Sequence, residues 1–172
     1  KIKGLVANVF TTLGNLKTAK FNNVTLGEIT DNSIHRFMPE SIETIELNNF
    51  NIGDYITKAN VMFQYCRNLT TVDFSSFDFK NVTTTNGMFM DCTGLQQIIG
   101  LENLHAPKLT DMVNMFKHCE SLTRIDLSGI CPEDYVLVGN TDNYTHSGQG
   151  NFYGCSSVEY LDLSNFKIKG HI

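Results

Sequence analysis

Apolar residues return along the chain in runs that open on Leu16, Ile42, Leu69, Leu95, Leu122 and Val158, separated by 26, 27, 26, 27 and 36 residues. Further apolar residues stand three, five and eight places on. They are Ala19, Phe21 and Val24 in the first run, Ile45, Leu47 and Phe50 in the second, and Val72, Phe74 and Phe77 in the third. The fifth continues with Ile125, Leu127 and Ile130, the sixth with Leu161, Leu163 and Phe166. The residues at offsets three and five have the two-residue period of a strand, so they share a core face while their neighbours point to solvent. An aromatic stands six places ahead of five of the runs, as Phe10, Phe63, Phe89, Phe116 and Phe152; the second run has Arg36 there and Phe37 beside it. Phe89 and Cys92, like Phe116 and Cys119, are three apart, a spacing that one turn of α or 3₁₀ helix puts on a common side. Asn60, Asn86 and Asn114 lie just ahead of these turns as candidate caps.

Each unit thus predicts a short strand, a return loop and a short helical turn. An L-x-x-L-x-L core repeating at about 20–29 residues is the leucine-rich-repeat pattern. The expected fold class is a leucine-rich-repeat solenoid of the α/β repeat class, with a parallel sheet on one face and short helical turns or irregular segments on the other. A unit of this size cannot bury its apolar side alone, so its stability is a property of stacked neighbours. Residues 1–172 read as a single domain of about six repeats.

Two places break the period. In the fourth copy, offsets three and five fall on Ile98 and Gly100; a one-residue insertion after Leu95, accommodated as a bulge, brings Ile99, Leu101 and Leu104 onto the template. Between the fifth and sixth copies, residues 131–150 read CPEDYVLVGNTDNYTHSGQG, an insertion rich in Gly, Asn, Asp and Tyr that predicts a surface loop. The sequence opens on Lys1 and closes soon after Phe166, within a repeat, as expected of a fragment of a longer protein.

Charge narrows the function classes. Thirteen basic and 18 acidic residues give a net charge of −5, against a nucleic-acid footprint or an anionic membrane surface. No apolar run approaches the roughly 18 residues of a membrane-spanning helix, so this fragment is not expected to insert directly into a membrane.

The repeat is written almost verbatim as MFQYCRNLTTVDF from Met62, MFMDCTGLQQII from Met88, MFKHCESLTRIDL from Met115 and NFYGCSSVEYLDL from Asn151. With these units the sequence resembles the BspA-like leucine-rich-repeat family of surface proteins, in the branch with roughly 25-residue repeats found in mycoplasma lipoproteins and other bacterial surface proteins. The similarity is strongest over residues 60–130, resumes at 151–166 and fades in residues 1–50, where Leu13 and Pro39 hold the Cys positions. The resemblance implies a non-catalytic adhesion or host-interaction module, at a cell surface or secreted and anchored through another part of the protein. Its implied partner is a protein or a glycan. Two other roles use the same scaffold: a structural spacer that presents another domain, and an intracellular effector that binds a host protein.

Candidate chemistry is sparse. Cys66, Cys92, Cys119 and Cys155 share one repeat position and read as a buried column of small apolar side chains; inter-repeat disulfides and a metal site are the alternatives. Cys131 stands outside that column. Five histidines, His35, His105, His118, His146 and His171, occupy unrelated repeat positions and have no ligand spacing. No nucleophile elbow or phosphate loop is present, so neither enzyme activity nor a cofactor is expected. Four sequons, at Asn23, Asn68, Asn81 and Asn143, read mostly as by-products of the repeat.

The outward strand face is the better candidate. Offset four carries Lys20, Glu46, Asp73, Asp126 and Asp162, flanked by a column of Thr18, Thr44, Thr71, Arg124 and Tyr160. The plainer reading is a strand that keeps its face soluble. The functional one is an acidic, hydroxyl-lined surface for a basic protein patch or a glycan, with Asp73, Arg124, Asp126, Tyr160 and Asp162 as contact residues. Tyr144, in the insertion, is the other candidate, because loops leaving a repeat scaffold often carry specificity. The chain is expected to act as a monomer.

Overall fold

The structure, a computed structural model, describes residues 10–27, 32–130, 136–138 and 150–169. Each repeat contributes a three-residue strand: β1 (Thr18–Lys20), β2 (Thr44–Glu46), β3 (Thr71–Asp73), β4 (Gln97–Ile99), β5 (Arg124–Asp126) and β7 (Tyr160–Asp162). Strand β1 pairs with β2, β3 with β4 and β5 with β7, all in parallel and with equivalent repeat positions opposite one another. The insertion contributes β6 (Val136–Val138), which pairs in parallel with β8 (Lys167–Lys169). Part of the segment read as a loop is therefore strand; Cys131, Tyr135, Asp142, Asn143, Tyr144 and His146 lie outside the described residues, as does His171.

The middle residue of each strand from β1 to β5 points inward: Ala19, Ile45, Val72, Ile98 and Ile125 are buried. In the fourth repeat this corrects the expected register. Ile98 is the core residue, paired with Val72, and Ile99 faces outward at 38% exposure. The extra residue enters after the strand, at Gly100, whose left-handed φ of 77° leads into a 3₁₀ turn, Leu101–Asn103. Leu101 and Leu104 then return to the core. Only Gly fits there without strain: a Cβ at Gly100 would lie 2.6 Å from the Ser75 backbone nitrogen.

Upstream of the strands the chain makes turns, with no α-helix among the described residues. Tyr65, Asp91 and His118, each two residues past the repeat's Phe, have positive φ (65°, 62° and 57°) and break any helical run. Their N–H groups donate to the next repeat, to Met90 O (3.0 Å), Lys117 O (2.8 Å) and Tyr153 O (2.7 Å), where a helix would have used its own preceding turn. Asn60, Asn86 and Asn114 likewise serve the neighbouring repeat. Thr84 Oγ1 donates to Asn60 Oδ1 (2.6 Å), Asn86 Nδ2 donates to Asp111 Oδ2 (3.5 Å), and Gly150 N donates to Asn114 Oδ1 (3.2 Å). The expected caps are ties between repeats.

A line of parallel bridges, Ser33 to Lys58 to Thr84 to Asp111, runs along this side of the stack. It continues past the junctions β2/β3 and β4/β5, where the adjoining strands are not hydrogen-bonded to each other. Inside, one Phe per repeat forms a column. Phe63, Phe89, Phe116 and Phe152 lie nearly parallel at centroid distances of 5.5, 5.9 and 6.1 Å. Phe37 joins this column edge-on, 6.5 Å from Phe63 and 5.6 Å from Phe10, and its N–H donates to Met62 O as that of Phe63 does to Met88 O. The out-of-register Phe37 thus occupies its repeat's aromatic position.

Phe89→Ala is expected to cost about 3–5 kcal/mol, since a fully buried ring between two others is lost. Gly129→Ala should destabilise by about 1–3 kcal/mol or more, because its Cβ would collide with Glu102 O, a backbone atom that cannot yield without parting two repeats. Urea melts of both variants, referred to the unsubstituted chain, check the two values. A loss under about 1 kcal/mol in either would contradict the packing described.

Candidate functional site

Alternation in β5 places Arg124 and Asp126 on the side opposite the buried Ile125, and the register of β7 puts Tyr160 and Asp162 on that same side, although Leu161 between them, read as a core residue, is itself 45% exposed. The register sets Arg124 opposite Tyr160 and Asp126 opposite Asp162. Four of the residues singled out in the sequence therefore meet in one cluster. The Arg124 guanidinium lies 3.7 Å from the centroid of the Tyr160 ring, while its Nη2 donates to Asp126 Oδ2 at 2.7 Å. Tyr160 Oη donates to Asp162 Oδ2 at 3.1 Å. The result is a pre-formed Arg–Tyr stack held by one carboxylate on each strand.

Both carboxylates are committed further. Asp126 Oδ1 accepts from the backbone N–H (3.1 Å) and hydroxyl (2.6 Å) of Ser128, and Asp162 Oδ1 accepts the same pair from Ser164. Asp73 Oδ1 accepts only the backbone N–H of Ser75 among these, at 2.8 Å. The Asp and the Ser two residues on are therefore a local turn device that ends β3, β5 and β7. Asp126 is only 7% exposed, its carboxylate turned to Arg124 and Ser128. The hydroxyl of Ser128 does most to hold the Asp126 carboxyl below the usual carboxylate range, helped by the Ser128 N–H and Arg124 and opposed by burial; Ser164 does the same for Asp162. Elsewhere in the column, Lys20 pairs with Glu46 at 2.7 Å. Internal pairing thus makes this face less acidic than its composition implies.

Beside the cluster, a groove of about 550 Å³ opens at the N-terminal ends of β3, β4 and β5, lined by Thr71, Gln96, Gln97, Ser121, Thr123, Arg124 and Ser157. It lies along the junction where β4 and β5 adjoin without a ladder. Sequence reasoning missed Gln96, Gln97, Ser121, Thr123 and Ser157. Gln97 was within reach, as the fourth member of the Thr71–Arg124–Tyr160 column, but the displaced register of that repeat hid it. Asp73 stands apart on β3, opposite the exposed Ile99.

The cysteine column is real and inward. Cys66, Cys92, Cys119 and Cys155 are free thiols, the first three buried and Cys155 half-buried. Each Sγ donates to a carbonyl of the preceding repeat: Cys92 to Phe63 O (2.9 Å), Cys119 to Phe89 O (3.2 Å), Cys155 to Phe116 O (3.0 Å) and, more weakly, Cys66 to Pro39 O (3.8 Å). Burial pushes the Cys66 thiol up to about 12 and that of Cys155 up to about 11, and raises Cys92 and Cys119 as well. Such thiols are poor nucleophiles. His118 Nδ1 lies 2.8 Å from Asp91 Oδ1 at the turns. Among the described residues no group of three or more His, Cys, Asp or Glu is placed to hold a metal ion, and no helix is long and apolar enough to cross a membrane.

The family model described as "Mycoplasma protein of unknown function, DUF285" matches residues 7–129. The chain belongs to this family. The DUF285 match takes in β1 to β5, with Arg124, Asp126 and most of the groove, and stops short of Ser157, Tyr160 and Asp162. No curated protein and no solved structure matches the chain.

Two outcomes check this chemistry. In a Cys131→Ser background, Cys155 should be the first thiol to react with Ellman's reagent in the native protein, and slowly, with the other three requiring denaturant. Rapid modification of all four would contradict the column. Because folding depresses the Asp126 and Asp162 values, their contribution to stability is in place above the ordinary carboxylate range near 4 and is lost as pH falls through the depressed values. Urea midpoints should therefore drop on acidification below about pH 4, with a shallower drop in Asp126→Asn.

Proposed function

We propose that this DUF285 chain is a leucine-rich-repeat solenoid of the BspA-like kind and serves as a non-catalytic binding module. Its place is a cell surface or the secreted state, and its ligand is a host protein or glycan. The observation that carries this reading is the Arg124–Tyr160 stack, with 56% of the Arg124 side chain and 41% of Tyr160 exposed on a strand face held fixed by the repeats behind it. Arg and Tyr are the residue types that most often anchor interfaces, and a pair already in contact loses little conformational entropy on binding. Adhesion and surface display rest on the BspA-like resemblance, which the DUF285 membership is compatible with.

The test is equilibrium binding of the chain to extracellular-matrix proteins, host-cell glycoproteins and glycans, with Arg124→Ala and Tyr160→Ala beside it. Each variant should bind at least about tenfold more weakly, about 1.4 kcal/mol. Charge reversal of Asp126 is unsuited to this purpose, since it would set a cation against the Ser128 N–H and test folding. Undiminished binding by both variants would move the site elsewhere, and no binding across the panel would favour the spacer.

A further inference from the structure

The groove beside the Arg–Tyr stack has a composition that selects its ligand. Of its seven lining residues, two are primary amides (Gln96 and Gln97), four carry hydroxyls, and one, Arg124, is charged. That charge is already paired with Asp126 at 2.7 Å, so an anionic ligand finds no free cation in the groove. The lining holds no carboxylate to meet a basic peptide and no large apolar side chain to meet a hydrophobic one. What remains is a dense set of neutral donors and acceptors. Among the described residues the side chains of Gln96, Gln97, Thr123 and Ser157 make no hydrogen bond within the protein, so their full capacity is open; Ser121 Oγ gives its hydrogen to Thr93 O (2.7 Å) and keeps its lone pairs. A volume of about 550 Å³ lies within the range of small-molecule sites.

We propose that the groove between the N-terminal ends of β3, β4 and β5 is a subsite for uncharged saccharide units, read by Gln96, Gln97 and Thr123. A neutral sugar presents several hydroxyls at close spacing, each both donor and acceptor, matching amides and hydroxyls that are themselves both. Tyr160, one strand along, borders the site: the Arg124 guanidinium covers one face of its ring, and the residue is 41% exposed. Arg124 touches both parts, its guanidinium on the ring and its side chain in the groove wall. This deepens the binding-module reading and rests on it: the saccharide is the ligand class at one subsite of that face.

The experiment is an NMR titration of the whole 172-residue chain with a panel of neutral oligosaccharides, lactose, N-acetyllactosamine, mannotriose and maltotriose, alongside sialyllactose. A Gln97→Ala/Thr123→Ala variant is taken through the same panel, its fold checked by circular dichroism. The expected result is saturable binding of at least one neutral sugar, with shifts concentrated at Gln96, Gln97 and Thr123 and an affinity loss of at least tenfold in the folded variant. No saturable shift from any neutral sugar, shifts centred away from the groove, or tenfold preference for sialyllactose over lactose would each overturn the assignment. Failure here separates from failure of the wider reading. Host glycoproteins that still bind after enzymatic deglycosylation, and lose binding with Arg124→Ala, would remove the saccharide while keeping the module.

Discussion

The structure depends on the fact that no repeat satisfies its own backbone. In the repeats of Phe63, Phe89 and Phe116 the turn after the Phe has a left-handed residue where a helix would need a right-handed one, and that residue's N–H reaches a carbonyl of the next repeat. A buried N–H without a partner is costly, so each repeat is competent only against its neighbour. The Cys position extends the same logic. The carbonyl of Phe63 accepts the N–H of Cys66 within its own turn and the thiol of Cys92 from the next repeat; Phe89 and Phe116 do likewise with the cysteines that follow. Both lone pairs of a buried carbonyl are thus engaged by a side chain small enough to pack as an apolar one.

That internal economy shapes the outer face. Carboxylates that look available from composition are engaged by the serines two residues on, by Arg124, or by a lysine in the adjoining repeat. What stays open is an aromatic–guanidinium stack and a run of uncharged amides and hydroxyls. A strand face of this kind is selective through hydrogen-bond geometry and shape more than through long-range charge.

Much of this was legible in the sequence, and the gaps have physical causes. The Phe and Cys columns were readable because a stacked repeat puts one residue type at one depth, and repetition exposes it. Phe37 was legible only as an aromatic one place off, since the chain from Phe37 to Ile42 is a residue shorter than in its neighbours and the backbone hydrogen bond, not the count, sets the register. The fourth repeat misled in the opposite sense. Counting cannot tell whether an extra residue enters before or after a strand; the glycine with positive φ at position 100 decides it. Asp126 was legible as an outward residue but not as a buried one, because its burial comes from Arg124 and Ser128 closing over it. The groove escaped notice because it is made by the missing ladder between β4 and β5, and no residue type announces a bond that two strands do not form.

The alternation of that ladder has a mechanical meaning. The junction β3/β4 is joined on both sides, by its strand pair and by the Lys58–Thr84 bridge, whereas β2/β3 and β4/β5 have the turn-side bridges Ser33–Lys58 and Thr84–Asp111 and serine side-chain ties, Ser76 Oγ to Leu47 O and Ser121 Oγ to Thr93 O, in place of a strand ladder. A stack fastened in this way has fewer backbone hydrogen bonds to lose at the two flanking seams than within the joined pair. The groove sits on one of these seams, so widening it would break side-chain ties such as that of Ser121 Oγ to Thr93 O but no strand ladder.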